Sequence, residues 1–362
     1  MFLNNKNENK KATLHHWDLP QYLQDENEGW LGGKDTINAF KEYAKICFEM
    51  YGDRVKHWIT INEAWTMSVI GYTNGEHAPG YVGFGEEQSR NTYLVGHHLL
   101  LAHAQVVQLY RNEFAGKQKG VIGISNSGDF RYPKDVQSKE DCEAAERAME
   151  FQLGWFAEPI WGSEGDYPNS MRQILKDRLP SFTKEEKDLI RGSSDFFGLN
   201  HYSSLIASKP EILPSGGGYW SDMNVDMSLD PSWRRNDMGW SVVPDGLKQI
   251  LKWIDQRYDH PLIYITENGD AESEPDLNSA THDFKRIDYL KGYLSAAKAA
   301  VVEYDVDLRG YFVWSFMDNF EWAFGYTRRF GLYHTNFDTM ERSPKLSATW
   351  YKNIIENNGI EL

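Results

Sequence analysis

Cysteine is scarce in this 362-residue chain, with only Cys47 and Cys142. Two thiols about a hundred residues apart build neither a disulfide framework nor a cysteine-ligated zinc or iron–sulfur site. Positive charge is also short: 38 Lys and Arg stand against 53 Asp and Glu, a formal net charge of −15. Phosphate backbones and anionic lipid surfaces attract clustered cations, so the balance argues against a nucleic-acid or membrane-surface partner. No apolar run approaches the ~20 residues that span a bilayer. The opening stretch MFLNNKNENKK is polar and aperiodic, without the apolar segment of a signal peptide. No Asn-x-Ser/Thr sequon occurs, and with so few cysteines this leans toward the cytosol.

What is abundant is aromatic: 13 Trp, 20 Tyr and 18 Phe, 14% of the chain. A large aromatic core accounts for that number by itself. Trp and Tyr also offer a flat apolar face with a polar handle, which suits the C–H faces and hydroxyls of sugars. Position must decide between the two.

One grammar repeats along the chain. Short β-rich apolar runs at 12–16, 55–61, 120–125, 195–199, 262–266 and 308–314 end in polar or aromatic residues. Between them lie segments of helical spacing at 36–51, 91–114, 139–156, 246–258 and 282–304. Thr183 and Glu186 form a capping-box pattern. Strand alternating with helix implies an α/β fold around a parallel sheet. No linker divides it, although 210–231, with three consecutive glycines, reads as a long loop.

In parallel sheets, chemistry gathers at the carboxyl ends of the strands. Five of the six ends carry functional side chains here, among them Asn62-Glu63, Asn200-His201-Tyr202 and Glu267-Asn268. A Glu just past a buried strand is costly unless bonded, paired or open to a cleft. Taken singly, such a residue is more often a cap or an ion-pair partner. Two of them on one sheet, Glu63 and Glu267, also fit glycosidic bond cleavage. That reaction needs one protonated acid for the leaving oxygen and one ionised carboxylate on the other face of the sugar.

The motifs TLHHWDLP (13–20), WITINE (58–63), GLNHY (198–202), IYITENG (263–269) and YFVWSFMDNFEW (311–322) resemble those of the family 1 glycoside hydrolases, the β-glucosidase family. Order and spacing agree from about residue 12 to the C-terminus, and the 53–65 stretch is most similar to animal members of the cytosolic β-glucosidase, lactase and klotho kind. The resemblance implies a (β/α)8 TIM barrel and a retaining mechanism without cofactor or metal. Glu63 would match the acid/base and Glu267 the nucleophile, acting on a small-molecule β-glycoside such as a β-glucoside, and by extension galactosides or fucosides. Asn62 would match the residue bonding the sugar 2-hydroxyl, and Tyr202 the phenol orienting the nucleophile. His16, Glu321 and Trp322 match glycone-binding positions, Trp314 the ring platform, and Phe330 the outer edge. Trp17 and Asn200 complete the substrate-binding set. His15 and His201, where Tyr or Phe is usual, read as wall residues. His97, His98 and His103, at helical spacing, read as packing residues rather than metal ligands.

The chain departs from the family at its front. Family members carry roughly a hundred residues before the first motif, including two barrel strands; here residues 1–11 read as a non-family leader, and about six of eight strands are counted. An N-terminally truncated barrel of this kind, residues 12–362, would leave strand edges unpaired. It would also lack the glycone-site Gln and the Arg that neighbours the nucleophile, leaving Glu267 harder to ionise. Three readings follow: a working glycosidase, an impaired fragment or pseudoenzyme acting as a carbohydrate- or protein-binding module, or an incompletely read gene.

Overall fold

A computed structural model describes residues 11–82, 85–212, 217–273 and 276–359. Its centre is a parallel sheet whose strands are β1 (Lys11–His15), β2 (His57–Asn62), β3 (Val121–Ser127), β4 (Phe197–Asn200), β5 (Ile263–Asn268) and β6 (Leu308–Val313). They lie side by side in chain order, and each neighbouring pair is parallel. Registers such as Ala12 with Trp58, Ser125 with Gly198 and Asn200 with Glu267 bring the carboxyl ends to one rim. This is a partial (β/α)8 barrel, a curled sheet of six parallel strands among the described residues.

The predicted runs coincide with these strands to within about two residues, because a buried parallel strand reads as an apolar β-branched run. Lys11 belongs to β1, and residues 1–10 of the expected leader lie outside the described residues. The helices covering the outer face include α1 (Lys34–Tyr51), α2 (Gly85–Glu113), α3 (Lys139–Met149), α4 (Trp155–Trp161), α5 (Lys184–Ile190), α6 (Pro244–Arg257), α7 (Phe284–Tyr304) and α8 (Leu346–Asn357). The expected helix at 139–156 divides: after α3 the chain takes a wider π-helical path over Glu150–Gly154 before α4. Helix α5 starts with the capping box, the Thr183 hydroxyl accepting from the Glu186 N–H and the Glu186 carboxylate from the Thr183 N–H. A side sheet joins Phe130–Pro133, Ser204–Ser208 and Asp226–Ser228 beyond the rim. No helix among the described residues is long and apolar enough to cross a membrane.

Strands β1 and β6 are the two edges of the sheet, and rings from the segments just beyond them meet. The His16 ring lies 5.7 Å from that of Trp314 and 6.0 Å from that of Trp322, and Trp17 lies 4.6 Å from Trp322. At the other end of β1, the Lys11 Nζ sits 2.9 Å from the centre of the Tyr264 ring and 4.6 Å from that of Phe312. Burial pushes this ammonium down to about 7.

Beside the β1 edge, α1 buries Ile37, Phe40, Ala44, Cys47 and Phe48 and exposes Tyr43, Ile46 and Met50. Apolar residues thus lie on both of its sides, where a surface helix normally presents a single apolar stripe. Phe48, fully buried, meets Trp58 of β2 edge-on at 5.1 Å and Tyr110 of α2 at 4.8 Å. Phe48→Ala is expected to destabilise the chain by about 3–5 kcal/mol through the lost transfer energy and the cavity left behind. The denaturant midpoint of unfolding measures this; a change under about 1 kcal/mol would mean that α1 is loosely docked.

Candidate active site

The rim of the barrel encloses a cavity of about 460 Å³ whose walls come from all six strand ends and the loops after them. Glu63 enters it because the backbone leaves β2 in a left-handed conformation (φ 52°), placing this side chain at the first turn of the short helix Ala64–Thr66. Trp17 (φ 72°) and Trp322 (φ 45°), which also line the cavity, share that region of backbone space. Such conformations cost roughly 1–3 kcal/mol each in non-glycine residues and concentrate at functional sites. Glu267 reaches the cavity from within β5 rather than from beyond its end.

One amide, that of Asn200, gathers the hydrogen bonds around Glu63. The Nδ2 of Asn200 donates to Glu63 Oε1 at 2.8 Å and to Asn62 Oδ1 at 2.9 Å, while its Oδ1 accepts from the Thr266 hydroxyl at 2.6 Å. Thr66 donates to the other oxygen of Glu63 at 2.6 Å. Tyr202 donates its phenol proton to Glu267 Oε2 at 2.8 Å. Asn62 bonds the His16 Nε2 at 3.2 Å, and the Trp17 indole donates to the Asn62 carbonyl at 3.1 Å.

Burial dominates the electrostatics. Glu63 is raised above its ordinary value by desolvation, with Asp129 adding to the rise and the Thr66 and Asn200 donors opposing it. Glu267 is also raised, by burial first and then by the charge of Glu63; the Tyr202 and Asn200 donors pull it back and Glu321 pushes it up. The surface that Glu267 retains opens on the cavity. Glu321 is itself pushed up to about 7 by burial, with the Trp314 indole opposing. His16 is held down to about 4 by burial and is neutral at pH 7. The chief groups acting on Glu267 include no cation. Glu63 and Glu267 therefore titrate as a unit that resists carrying two charges.

Of the residues singled out in the sequence, His16, Trp17, Glu63, Asn200, Tyr202, Glu267, Trp314, Glu321, Trp322 and Phe330 line this one cavity. Asn62 stands directly behind, against Asn200 and His16. The two expected wall histidines are displaced from the lining. His15 is buried between Trp30 and Phe40, and His201 is fully buried with its Nδ1 on the Gly128 carbonyl. His97 bonds Tyr167, His98 the Trp30 carbonyl and His103 Thr60, each within the packing around α2. Among the described residues no group of three or more His, Cys, Asp or Glu side chains is arranged to hold a metal ion.

The cavity also contains residues that the sequence did not flag: Trp65, Glu76, His77, Asp129, Gln152, Met238 and Trp240 among them. A signal for one existed. The third strand was the only one whose carboxyl end was left without a candidate, and Asp129 stands two residues past it.

The glycosyl hydrolase family 1 model matches residues 2–360. β-Glucosidase 11 of Oryza sativa subsp. japonica is 40% identical over 367 residues, covering 96% of this chain and 68% of that protein. The lactase/phlorizin hydrolase of Homo sapiens is 41% identical over 363 residues, 96% of this chain and 18% of the much longer relative. The crystal structure of the rice Os3BGlu6 β-glucosidase superposes with a TM-score of 0.89 at 38% identity, covering 94% of this chain and 74% of that one. A family 1 β-glucosidase from Thermotoga maritima gives 0.85 at 36% identity, with 97% and 74% covered.

Unfolded glutamates ionise near 4.5, whereas buried Glu267 keeps its proton to higher pH. Between those values the unfolded chain binds fewer protons, so stability falls as pH rises through the window. Glu267→Gln removes that penalty. Its melting temperature should exceed the wild type's at pH 8, with the gain shrinking toward pH 4, where the wild-type carboxyl is protonated in both states. Thermal unfolding across pH tests this; a gain independent of pH would overturn it.

Proposed function

The chain belongs to glycosyl hydrolase family 1 and is thereby an O-glycosyl hydrolase; from that membership we propose that it is a retaining β-glycosidase acting on terminal β-D-glucosides by double displacement. The observation carrying this reading is the pair of carboxyl groups in one cavity, Glu63 buried and bonded to Asn200, and Glu267 within the field of Glu63.

The anomeric carbon would sit between them. Glu267 attacks it while Glu63 protonates the departing glycosidic oxygen, giving a covalent glycosyl-enzyme. With its proton spent, Glu63 then takes one from a water molecule, which attacks the same carbon and returns Glu267 as a free carboxylate. The cycle needs one proton on the pair, resting on Glu63. The Tyr202 phenol and the Asn200 amide favour the charge on Glu267, whereas burial opposes it, so the balance between the two sites sets the acid limb of the pH profile.

Around that carbon the remaining residues take supporting roles. Trp314 offers a face to the ring, while His16, Glu321 and Trp322 meet glycone hydroxyls and Phe330 closes the rim. Asn62 and Asn200 reach the 2-hydroxyl, a contact that strengthens as the ring gains positive charge. Trp17 backs Trp322 and fixes the Asn62 backbone.

An aryl β-D-glucoside assay tests the reading. Wild type should release the β-anomer first, as followed by proton NMR, and Glu267→Ala should remove turnover. Glu63→Gln should slow hydrolysis of an unactivated glucoside by about 10²–10⁴-fold. Equal rates for wild type and Glu267→Ala would overturn the hydrolase assignment for this chain in favour of the sugar-binding module.

A further inference from the structure

Glu267 and Asn268 are neighbours on β5, and their side chains part company. Glu267 opens on the cavity, whereas Asn268 turns to the helical layer, fully buried and outside the cavity lining. The double displacement leaves it without a part. Its amide is nevertheless heavily bonded: Nδ2 donates to the His201 carbonyl at 2.6 Å and to the Tyr289 phenol at 2.9 Å, and Oδ1 accepts from the Tyr311 phenol. One side chain thereby ties β5 to the residue after β4, to α7 and to β6. An amide buried to this degree is tolerated only when bonded, and partners on three elements fix its place.

The link to residue 201 is reciprocal. The His201 N–H donates to the Glu267 carbonyl at 3.0 Å, while the His201 carbonyl accepts from the Asn268 amide. Next in the chain stands Tyr202, whose phenol donates to Glu267 Oε2 at 2.8 Å. Two bonds at residue 201 therefore set where Tyr202 stands against Glu267. From behind, the Tyr293 phenol donates to the Tyr202 carbonyl at 3.2 Å and accepts the Val243 N–H at 3.0 Å. Tyr289 and Tyr293 lie one turn apart on α7, and their rings stack at 4.2 Å. The helix that receives Asn268 thus also holds the backbone of Tyr202.

A donated hydrogen bond favours the ionised carboxylate only while its length and angle are kept. Resting on the hydrolase reading above, we propose that Asn268 is a positioning residue, seated on Tyr289, that holds the Tyr202 phenol on Glu267 and so keeps the charge of the pair on the nucleophile. A bond that merely fastened sheet to helix would change stability and leave the ionisation of Glu267 where it was.

Profiles of kcat/KM against pH on 4-nitrophenyl β-D-glucoside, for wild type, Asn268→Ala, Tyr202→Phe and the double variant, test this. Asn268→Ala should lower kcat/KM about 10-fold with KM little changed, and should move the acid limb to higher pH, because Glu267 with a weakened donor ionises less readily. Glu63, Asn200 and Glu321, which also act on Glu267, keep their side chains in every variant. In the double variant the limb should stand where Tyr202→Phe alone puts it, since the bond is already gone. A lower rate with an unmoved limb, or shifts that add, overturns the proposal. Tyr289→Phe spares the His201 bond and should move the limb the same way by less; it decides the matter if Asn268→Ala fails to fold, and no movement there overturns the proposal. If wild type does not turn over the glucoside, the hydrolase reading fails separately. Carboxyl carbon-13 NMR then follows Glu267 directly, its signal being the one missing from Glu267→Gln. Titration at higher pH in Asn268→Ala, but no further rise in the Tyr202→Phe background, supports the positioning role; equal curves for wild type and Asn268→Ala overturn it.

Discussion

Two carboxyl groups held away from bulk water in the same cavity cannot both ionise at ordinary cost, and much of the site's arrangement answers that constraint. Desolvation raises both, and the charge of Glu63 raises Glu267 as that of Asp129 raises Glu63. Donors then divide the pair. Glu63 receives the Thr66 hydroxyl and one Asn200 N–H, while Glu267 receives the Tyr202 phenol. The outcome is a pair with two unlike environments, the condition under which one acid can hold a proton while its partner carries charge.

Asn200 makes that geometry a property of the sheet. It stands at the end of β4, in register with Glu267 on β5, and its amide reaches Asn62 and Glu63 at the end of β2. Strand β3 lies between β2 and β4, so the bond crosses the barrel interior rather than running along the ladder. A displacement of the sheet's curl is thereby felt directly at Glu63. The aromatic contacts between the segments following β1 and β6 act on the same curvature from the two edges. That seam consists of ring contacts, which are shorter in reach and less directional than a ladder of backbone hydrogen bonds.

The six parallel strands were legible in the sequence because burial on both faces leaves an apolar β-branched run with few alternatives. Less legible were the pieces whose form depends on distant partners. The side sheet of Phe130–Pro133, Ser204–Ser208 and Asp226–Ser228 is short and partly exposed, and the π-helical turn at Glu150–Gly154 interrupts a continuous helical pattern. At the site, pattern alone brought Glu63 and Glu267 only as far as a plausible pair; five motifs in order carried the remaining positions. His15 and His201 show the limit of reading by alignment, since both lie beside site residues in the chain and pack away from the cavity. Asp129, Met238 and Trp240 were missed because a loop's course is set by what it packs against, which local periodicity does not record.

The cavity is ringed by Trp17, Trp65, Trp240, Trp314 and Trp322, five of the thirteen indoles in the chain. Indole emission responds to nearby carboxyl protons and to displaced water, and here the quenchers and the fluorophores occupy one chamber. Occupancy by an unlabelled sugar thus carries its own optical signal, readable by steady-state intensity without dye or chromogenic leaving group.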